Sequence, residues 1–544
     1  MDTNRIPTFH KINAADSYSP QQDLLYNLVW RFDLKTAVDE KGQLKITKYK
    51  ARLAIDGSGD IADVDFDAMY GTSRVVAAST TRVTLSYAAK YKLTAHQYDV
   101  AGAYLYGKLP PERRVFIQAP DLVDNPALGV QNISPGDICR VDTALYGLPD
   151  SGGIWSEKLL TSIASINLKI GTNFKRLEED PGVLIHRDNI NGKERVILIP
   201  IYVDDLRVYD NDIPLYNKLM KELHTLFELD DRTSDDIYLG MSIKREGLTG
   251  AFNLCCDTLI TKTLNKHQMD DIKTQSTPII ERTEPPEPTP GTTSKANLLP
   301  QDKYKTFRGI LGAISFIAGA CRPDISFATN RIAKKQSSPN YRDFDDLVHL
   351  LGYLKGTKQK GLRIKGDWDP NNNGKSILTV YTDASYADVK DDKTSSYGFV
   401  AYLGTDMIQW CSTTTKAICR SSAESELYAI DKAVMLAIIP LTKLLKELNI
   451  PIIKPPLLRS DNKAALDILK TGKQLNKIKH TQIRIHYLRD QHNGTNNIYT
   501  NEKLPSTFNT LHISGLLNGA DIFTKILAPT IFFKARSHLY HNHW

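Results

Sequence analysis

Three aspartates stand where extended, apolar stretches end, and carboxylates in that position can do metal chemistry. Asp204 and Asp205 follow a short, nearly continuous apolar run at 195–203, and Asp99 closes another extended stretch. A carboxylate is costly to desolvate, and two adjacent carboxylates repel each other. Mg²⁺ prefers oxygen ligands and would remove both costs, so these acids are candidate metal ligands. An Asp–Asp pair by itself is equally typical of a solvated turn, so the surrounding residues must decide.

Four more acids are spread through the last third of the chain, and each belongs to a different predicted element. Asp383 lies in a strand, Glu426 in the following helix, Asp461 at the end of another strand and Asp521 at the start of a last helix. Carboxylates that converge from several elements indicate two metal ions on a phosphodiester, with water attacking and the ribose 3′-oxygen leaving. Each acid alone would be dismissed as a surface charge.

Apolar periodicity predicts the elements that position these acids. The run at 195–203 is typical of a buried strand, and the extended pattern resumes at 206–209, which places two aspartates at a hairpin turn. A lysine-rich strand is predicted at 44–53, and helices are predicted at 73–93, 217–227, 304–320, 344–355 and 422–448. Strands and helices alternate beyond residue 377, which favours a mixed sheet covered by helices.

The chain is too long for a single core, and its composition is that of an ordinary globular protein. It has 544 residues, of which 41% are hydrophobic and 24% charged, so several domains are expected. The clearest boundary is Thr277–Gln301, whose prolines indicate a linker or an exposed loop. A formal net charge of +7 suits a polyanion partner without demonstrating one.

Cysteine content and hydropathy argue against several other classes of protein. Six cysteines without a C-x-x-C pair disfavour a disulfide scaffold and structural zinc, and a reducing, intracellular setting fits best. No apolar run approaches the roughly 20 residues that a membrane helix needs, so no membrane partner is expected. The first residues, Met1–Arg5, lack the layout of a signal peptide.

Four blocks around the first group of acids resemble, in order, the reverse transcriptases of copia-type retrotransposons. They are Gln97–Gly107, Leu145–Leu148 with Trp155 beyond it, Tyr202–Asp205, and Tyr238–Ile243. The resemblance implies a right-hand polymerase fold of fingers, palm and thumb. It also implies that Asp99, Asp204 and Asp205 hold two Mg²⁺ ions, with Mn²⁺ as an alternative. One ion would activate the primer 3′-hydroxyl and the other would stabilise the leaving pyrophosphate.

The same resemblance assigns substrate contacts. Tyr104 takes the place of the family's steric gate against a 2′-hydroxyl, with simple aromatic packing as the alternative. Lys50 and Arg52 fall in a stretch that resembles the fingers block, where cations on one strand face suit triphosphate binding. A solvated basic face explains this stretch about as well. The segment that resembles the primer grip contains Leu239, Gly240 and Met241.

Asp150 departs from the family pattern at the nucleotide pocket. The family usually follows its Leu-Tyr-Gly-Leu block with Lys-Gln-Ser, whereas this chain has Pro149, Asp150 and Ser151 there. The glutamine expected near the incoming nucleotide is therefore an aspartate, and an acid beside a triphosphate is electrostatically unfavourable. Either a divergent lineage or a polymerase that has begun to decay explains the change, although every predicted metal-ligand acid is intact.

The blocks around the second group of acids resemble the ribonuclease H domain of the same family. They are Tyr381–Asp388, Ser395–Phe399, Ile408–Trp410, Ser421–Ala429, Ser460–Ala465, Lys479–Tyr487 and Ala520–Lys525. The resemblance makes four acids the ligands of two further Mg²⁺ ions, namely Asp383, Glu426, Asp461 and Asp521. It favours Glu426 over Glu424, which lies two residues away on the same helix and is expected to face solvent near the helix N-terminus.

The histidines of this region stay without an assigned role. His480 and His486 belong to the Lys479–Tyr487 block, and His512 lies shortly before the last acid. All three are more typical of core or surface histidines than of catalytic ones.

The resemblance divides the chain into five segments. They are reverse transcriptase fingers and palm at 1–245, a thumb-like segment at 246–276, the proline-rich linker or loop at 277–301, a connection region at 302–370 and a ribonuclease H domain at 371–544. The connection region is expected to help grip the hybrid, and its lysines would contact phosphates. Solvated lysines are the equally plausible alternative.

The sequence thus predicts an RNA-directed DNA polymerase with ribonuclease H activity, which copies retrotransposon RNA and degrades the RNA of the hybrid. Its expected partners are an RNA template, a DNA primer, the RNA–DNA hybrid and dNTPs, while a homodimer or an integrase partner is left open. The expected location is the cytoplasm, in a virus-like particle by resemblance, with the nucleus as the alternative. Two other functions stay open: an inactive or domesticated copy that only binds nucleic acid, and a chain that retains only the ribonuclease H.

Overall fold

The protein consists of two units, each of which folds around its own sheets. A computed structural model describes residues 9–12, 18–19, 23–38, 44–56, 74–119, 133–281, 298–371, 375–388, 393–416, 418–472, 482–494 and 505–541. One unit comprises Met1–Ala77 and Leu93–Asp235, and the other comprises Ala78–Lys92 and Asp236–Trp544. The architecture is mixed α/β with several sheets, as predicted. Most of the proline-rich stretch, residues 282–297, lies outside the described residues.

The first unit is rich in strands. Its strands are β1 (Phe9–Lys11), β2 (Leu24–Tyr26), β3 (Leu28–Val38), β4 (Leu44–Ile55), β5 (Thr94–Val100), β6 (Val115–Gln118), β7 (Ile138–Val141), β8 (Lys175–Arg176), β9 (Val183–Ile190), β10 (Lys193–Tyr202), β11 (Asp205–Asp210) and β12 (Leu229–Asp231). Helix α1 (Ala78–Lys90) interrupts this part of the chain but belongs to the second unit. The helices α2 (Ser151–Ile170) and α3 (Ile213–Leu226) complete the first unit.

A six-stranded sheet in the order β12-β5-β11-β10-β9-β8 carries the first group of acids. Its central strand β10 is the predicted apolar strand, and it pairs with β9 on one side and with β11 on the other. Ile197, Ile199 and Ile201 of β10 share a buried core with Trp155 of α2 and Leu219 of α3. Because strands flank β10 and helices pack on it, the residues from Val196 to Ile201 are all apolar and buried. Two smaller sheets have the orders β1-β7-β6-β2 and β3-β4.

The second unit holds most of the helices. The helices that follow α3 are α4 (Asp257–Lys266), α5 (Gln301–Ala320), α6 (Ser326–Ala333), α7 (Tyr341–Gly356), α8 (Ser422–Ala433), α9 (Ile439–Glu447), α10 (Lys463–Thr471), α11 (Gln482–Asn493) and α12 (Pro529–Leu539). Its strands are β13 (Ile237–Tyr238), β14 (Met241–Arg245), β15 (Phe252–Cys255), β16 (Leu362–Ile364), β17 (Leu378–Ser385), β18 (Ser396–Leu403), β19 (Asp406–Thr414), β20 (Leu457–Ser460) and β21 (Asn509–His512).

A five-stranded mixed sheet in the order β19-β18-β17-β20-β21 carries the second group of acids. The strands β17, β18 and β19 pair antiparallel, whereas β20 and β21 join parallel to β17. All eight residues of β18 are buried, so this strand forms the middle of the core. The other sheet of the unit has the order β13-β14-β15-β16.

Helix α1 is bonded to other elements of the second unit through the buried guanidinium of Arg82. Arg82 donates from Nε to the Ile408 carbonyl of β19 at 2.6 Å, and its guanidinium lies 4.1 Å from the centre of the Trp410 ring. Its Nη1 also donates to the carbonyls of Gly319 and Ala320 at the end of α5. These bonds satisfy three backbone acceptors, which explains why this segment packs with residues far along the chain.

Two predicted elements differ in detail from the structure. The long helix predicted at 422–448 is divided, because a π-helical turn at Val434–Ile438 separates α8 from α9. Pro440 at the start of α9 has no N–H group to continue the hydrogen bonds of α8. Asp521 was expected at the start of the last helix, but it lies in a 3₁₀ turn, Gly519–Phe523, and α12 begins only at Pro529.

All six cysteines fall within the described residues, and each is a free thiol. Within the same described parts of the chain, no helix combines the length and apolar character that crossing a bilayer would require.

Candidate active sites

In the first unit, two acids face each other across neighbouring strands. Asp99 of β5 lies directly opposite Asp205, the first residue of β11. Asp230 of β12 lies opposite Asp99 on the other side of β5. Directly opposed residues of antiparallel strands share one face of the sheet, and like charges in such pairs are destabilising. A cation between Asp99 and Asp205 would remove this repulsion. No sequence pattern indicated Asp230, because only the pairing of β12 with β5 brings it opposite Asp99.

Asp204 occupies the tight turn that joins β10 to β11. Tyr202 pairs with Asp205, so Val203 and Asp204 form the two-residue turn of the predicted hairpin, whereas Asp205, also expected at the turn, begins β11. Val203 has a φ of 56°, in the left-handed region that a β-branched residue rarely adopts. Trp155 of α2 donates from Nε1 to the Val203 carbonyl at 2.7 Å and is almost fully buried. This hydrogen bond helps hold the strained turn and therefore the position of Asp204.

An aromatic pair lies beside Asp204. Tyr104 and Tyr146 pack edge to face with ring centres 5.2 Å apart. Burial raises the pKa of both hydroxyls, and the negative charge of Asp204 raises it further. Arg52 of β4 donates a hydrogen bond to the Tyr146 hydroxyl, and its guanidinium lies 5.8 Å from the centre of that ring. The structure thus brings Arg52 and Tyr104 together with Asp204. Lys50 lies in β4 opposite Asp33, but its side chain is outside what is described.

Asp150, the departure from the family pattern, has its own counterion. It is buried at the start of α2, and its Oδ2 accepts a bond from Arg113 Nε at 3.1 Å. A buried carboxylate with a paired guanidinium costs much less than an unpaired one. The expected repulsion between Asp150 and a triphosphate is therefore reduced by a neighbour that the sequence pattern did not single out.

The predicted primer-grip residues form the turn between β13 and β14. Leu239 and Gly240 have φ values of 50° and 76°, and Met241 begins β14. A pocket of about 320 Å³ adjoins this turn, lined in part by Lys262 of α4 and Phe316 of α5. All five of these residues belong to the second unit.

In the second unit, three acids converge closely. Ligand oxygens of Asp383, Asp461 and Asp521 all lie within 4.8 Å of one another. Among the described residues this is the one set of three such side chains that is close enough to share a metal ion, and the acids of the first unit do not form such a set. Asp383 lies in β17, Asp461 follows the parallel strand β20, and Asp521 comes from the 3₁₀ turn. The tertiary fold therefore produces a cluster from acids that are 138 residues apart along the chain, from 383 to 521.

Glu426 joins the same cluster electrostatically. It is buried in α8, and burial followed by the charges of Asp383 and Asp461 raises its pKa to about 9. Its Oε2 is buried and has no hydrogen-bond partner among the described residues. Burial and Asp383 also raise the pKa of Asp461, and they raise that of Asp521 to about 6. The cluster holds more negative charge than the protein itself neutralises.

Glu424 is not a solvent-facing charge, which corrects the sequence-based expectation. Its side chain is buried at the start of α8, and its Oε2 accepts a hydrogen bond from the Arg420 amide at 2.7 Å. The Ser421 side chain in turn accepts from the Glu424 amide at 3.2 Å. Glu424 therefore closes the N-terminus of the helix that carries Glu426.

Several side chains that sequence patterns did not single out also contact the second cluster. The Thr524 hydroxyl and the Lys525 ammonium both donate to Asp383. Asn518 hydrogen-bonds Asp461 and donates to the Thr382 carbonyl at 3.1 Å. His512 Nε2 donates to the Asp461 carbonyl at 3.1 Å. Thr524 and Lys525 could have been found in the sequence, because they end the same block as Asp521.

The other two histidines of this region gain no role from the structure. His486 is exposed on α11. His480 lies outside the described residues.

A cleft of about 500 Å³ adjoins the cluster and is lined by Ser385, Thr524, Lys525 and basic side chains of α6 and the residues after it, including Arg331, Lys335 and Arg342.

Comparisons with known proteins identify the family of this chain. Residues 20–281 match the family model described as reverse transcriptase (RNA-dependent DNA polymerase). The chain is 27% identical over 489 residues to the retrovirus-related Pol polyprotein from transposon RE1 of Arabidopsis thaliana. This alignment covers 90% of the chain and 30% of that polyprotein. The chain is 27% identical over 504 residues to the corresponding polyprotein from transposon TNT 1-94 of Nicotiana tabacum, covering 92% and 34%.

A shorter relative aligns with part of the chain. The chain is 30% identical over 230 residues to an uncharacterized mitochondrial protein of Arabidopsis thaliana, which covers 42% of this chain and 88% of that protein. By contrast, the chain spans only about a third of the length of the two curated polyproteins, 30% and 34%. Both long alignments extend over about nine-tenths of the chain.

Proposed function

Because the chain belongs to the copia-type retrotransposon Pol reverse transcriptases, we propose that it synthesises DNA on an RNA template in its first unit and cuts the RNA of the hybrid in its second. The observation that carries the second activity is the convergence of Asp383, Asp461 and Asp521 within 4.8 Å. The first activity rests on family membership together with the position of Asp99, Asp204 and Asp205 at the ends of paired strands.

The residues of the second cluster fit divalent metal ions. The donor set consists of carboxylates alone, which suits Mg²⁺ or Mn²⁺ rather than a softer metal. The orphaned, buried Oε2 of Glu426 is a donor atom that a metal would satisfy. We propose that Asp383, Glu426, Asp461 and Asp521 hold two such ions. When bound, these ions supply an activated water and stabilise the charge on the leaving 3′-oxygen.

The chain's own residues orient this second site. Thr524 donates to the Asp383 carboxylate and so fixes its direction within β17, and Lys525 donates to the same carboxylate while no metal is bound. Asn518 and His512 hold the segment after β20 through Asp461. The adjoining cleft carries Arg331 on α6, which can contact a phosphate of the hybrid without reading its sequence.

The first site is proposed to bind the same metals and a deoxynucleotide. Asp99, Asp204 and Asp205 would be the ligands, and the opposed pair Asp99 and Asp205 fits a cation because it brings two carboxylates to one face of the sheet. Tyr104, packed against Tyr146 beside Asp204, is proposed as the steric gate against a ribose 2′-hydroxyl.

Substrate contacts beyond the metal ligands follow from the family resemblance. Arg52 and Lys50 of β4 would neutralise the triphosphate, and the position of Arg52 beside Tyr146 supports this. Asp150, paired with Arg113, would lie near the nucleotide without an unpaired charge. The β13–β14 turn would contact the primer through Leu239, Gly240 and Met241. Within this proposal the chain works in a cytoplasmic particle of the retrotransposon, with template, primer and dNTPs as partners.

Two matched variants of the full chain test the proposal. Asp204→Asn should abolish Mg²⁺-dependent primer extension on an RNA template and leave hybrid cleavage intact. Asp383→Asn should do the reverse. Loss of one charged ligand from a two-metal site is expected to lower the rate by about 10³-fold or more, since the lost electrostatic stabilisation is several kcal/mol. Equal, negligible cleavage by wild type and Asp383→Asn would contradict the nuclease assignment.

A second candidate function is supported by the difference between the two sites. Among the described residues, the acids of the second unit meet within 4.8 Å, whereas those of the first unit form no such set. A chain that retains only ribonuclease H activity would show RNA cleavage without DNA synthesis. Absence of extension in both the wild type and Asp150→Gln, which restores the family residue, would favour this candidate.

A further inference from the structure

Lys525 places a positive charge inside the second cluster. Its Nζ lies 3.2 Å from Asp383 Oδ1, 3.1 Å from Asp383 Oδ2 and 3.1 Å from Asp521 Oδ1. The Asp383 side chain is only 1% exposed, so this carboxylate meets the ammonium out of contact with bulk water. Two of the three acids that converge within 4.8 Å therefore share one cation that belongs to the chain itself.

Electrostatics shows that the ammonium stays charged there. Burial opposes the charge, but Asp383 and Asp521 more than offset this effect, so the pKa of Lys525 is raised above its usual value. The cluster contains Glu426 and Asp461 as well, and the same ammonium opposes the rise of their pKa values. Lys525 is therefore a counterion of the whole cluster rather than of one acid.

The ammonium also has a route out of the cluster. The Lys525 side chain is 37% exposed and lines the cleft of about 500 Å³ that adjoins the acids. A lysine has a flexible four-carbon stem and a compact charge, so a change of rotamer moves the ammonium without moving the backbone. Lys525 can thus leave Asp383 and Asp521 when another cation takes its place.

We propose that Lys525 is an intrinsic cation that holds the second cluster together in the metal-free chain and competes with divalent metal for Asp383 and Asp521. The inference rests on the proposed nuclease function, because that function supplies the metal. Before metal binds, the ammonium offsets the repulsion among the acids. When metal binds, the ammonium at about 4 Å from a divalent ion is repelled by several kcal/mol at a surface-like dielectric, so it must move away. Lys525 is therefore a positioning residue that sets the affinity for metal.

The experiment measures Mn²⁺ binding and melting rather than activity. All arms use the full chain with Asp204→Asn and Asp205→Asn, so that Mn²⁺ reports on the second cluster. Mn²⁺ binding is measured by electron paramagnetic resonance at pH 8.5, and melting temperature is measured in EDTA and in saturating Mn²⁺. Lys525→Met removes the charge at similar length, and Lys525→Arg keeps it. Lys335→Met removes a lysine that lines the same cleft from the end of α6 and serves as the matched control.

The proposal predicts a specific combination of results. Lys525→Met should bind Mn²⁺ about tenfold more tightly than the Lys525 chain, because a competing positive charge is gone. It should melt at a lower temperature in EDTA, and saturating Mn²⁺ should remove this difference. Lys525→Arg and Lys335→Met should behave like the parent. A purely structural role for Lys525 would weaken metal binding instead of strengthening it.

Other outcomes overturn the inference, and they separate it from the nuclease assignment. Unchanged or weaker Mn²⁺ binding by Lys525→Met removes the role of Lys525, while the nuclease stands as long as Asp383→Asn abolishes hybrid cleavage. No Mn²⁺ binding in the parent overturns both. If Lys525→Met does not fold in EDTA, its refolding on addition of Mn²⁺ supports the proposal. If neither Lys525→Met nor Lys525→Gln refolds on addition of Mn²⁺, the proposal is overturned.

Discussion

At the scale of single residues, the environment of each acid decides what it can do. Glu426 and Glu424 are two residues apart on α8, yet the buried Oε2 of Glu426 has no hydrogen-bond partner among the described residues, whereas Glu424 accepts a backbone hydrogen bond at the helix N-terminus. Asp150 likewise depends on a neighbour, since Arg113 compensates its charge. Residue type and spacing singled out these acids. Their hydrogen-bond partners distinguish Glu426, a candidate metal ligand, from Glu424 and Asp150, whose carboxylates are bonded within the protein.

Glu426→Gln should raise the stability of the metal-free chain at alkaline pH. The folded state holds the pKa of Glu426 at about 9, above the ordinary 4.5, so the folded state binds an extra proton between these values and loses stability as pH rises through this window. Gln has no proton to lose. The melting temperature of Glu426→Gln in EDTA should therefore fall less between pH 6 and 9, by about 2 °C or more.

The control for this comparison is Glu447→Gln, which changes a glutamate on α9, the next helix of the same unit. Differential scanning fluorimetry at several pH values measures both variants against the parent. The same pH profile for parent and Glu426→Gln would contradict the assignment of Glu426 to a buried, repulsive cluster.

Arg113→Met should destabilise the first unit, because it leaves Asp150 buried without a counterion. Removing one partner of a buried ion pair typically costs about 3 kcal/mol. Adding Asp150→Gln to Arg113→Met should recover most of this loss, since a neutral amide needs no counterion. Urea unfolding followed by tryptophan fluorescence measures both changes. Additive losses in the double variant would show that the two side chains do not interact.

At the scale of elements, tight turns and close approaches place the acids. The Val203–Asp204 turn is tied to α2 by Trp155, so the hairpin cannot be repositioned without disturbing the helix. The Leu145–Leu148 block has a similar role for Tyr146, because Ile55 at the end of β4 donates from its amide to the Tyr146 carbonyl at 2.7 Å. Gly147 follows with a φ of 98°.

Gly147→Ala should disrupt the approach of β4 to this block. A Cβ at Gly147 would lie 2.0 Å from the Ile55 carbonyl oxygen, and backbone cannot yield as a flexible side chain can. Clash and an unfavourable φ together should cost about 3 kcal/mol or more. Primer extension should fall as well, because Tyr146 packs on Tyr104 beside Asp204. Urea unfolding measures the first effect and steady-state extension the second.

Gly171→Ala separates the clash from the backbone conformation. Gly171 ends α2 with a φ of 70°, but a Cβ there would meet nothing within 4 Å. This variant should cost only about 1 kcal/mol, the usual penalty for a non-glycine residue in the left-handed region. Equal losses in Gly147→Ala and Gly171→Ala would mean that the approach of Ile55 is unimportant.

At the scale of the whole molecule, positive and negative side chains lie close together around the second group of acids. The chain carries a formal net charge of +7 although its two proposed sites are built from carboxylates. In the second unit, the cleft beside the acidic cluster is lined by basic and acidic side chains in equal number: Arg331, Lys335, Arg342 and Lys525, and Glu281, Asp343, Asp346 and Asp388. A polyanion bound in this cleft would bring its phosphodiesters to the cluster, and Lys525 lies where the two regions meet.

Arg331→Ala should weaken the binding of an RNA–DNA hybrid and make it less sensitive to salt. Each phosphate contact that is lost should reduce the slope of log affinity against log salt by about 0.9. Fluorescence anisotropy with a labelled hybrid in Ca²⁺ measures the slope. Lys446→Ala changes an exposed lysine of α9 that does not line the cleft and should leave the slope unchanged. An unaltered slope for Arg331→Ala would exclude this cleft as the phosphate contact.

The sequence by itself determined the family, the candidate metal-ligand acids and most of the helices and strands that hold them. These follow from local patterns: the apolar run of β10, the paired aspartates after it and the ordered motif blocks are all visible within short windows. The strands β5, β10, β11 and β17 and the helices α1, α3 and α5 lie close to where periodicity predicted them.

Only the tertiary structure decided which of these residues meet. The contacts of Asp383 with Lys525, of Asp150 with Arg113 and of α1 with β19 join residues between 37 and 326 positions apart. Strand order and helix packing create such contacts, and no local period encodes them. The burial of Glu424 has the same origin, because packing selects among conformations that the local sequence allows equally, whereas the division of the long predicted helix accompanies Pro440, a local signal.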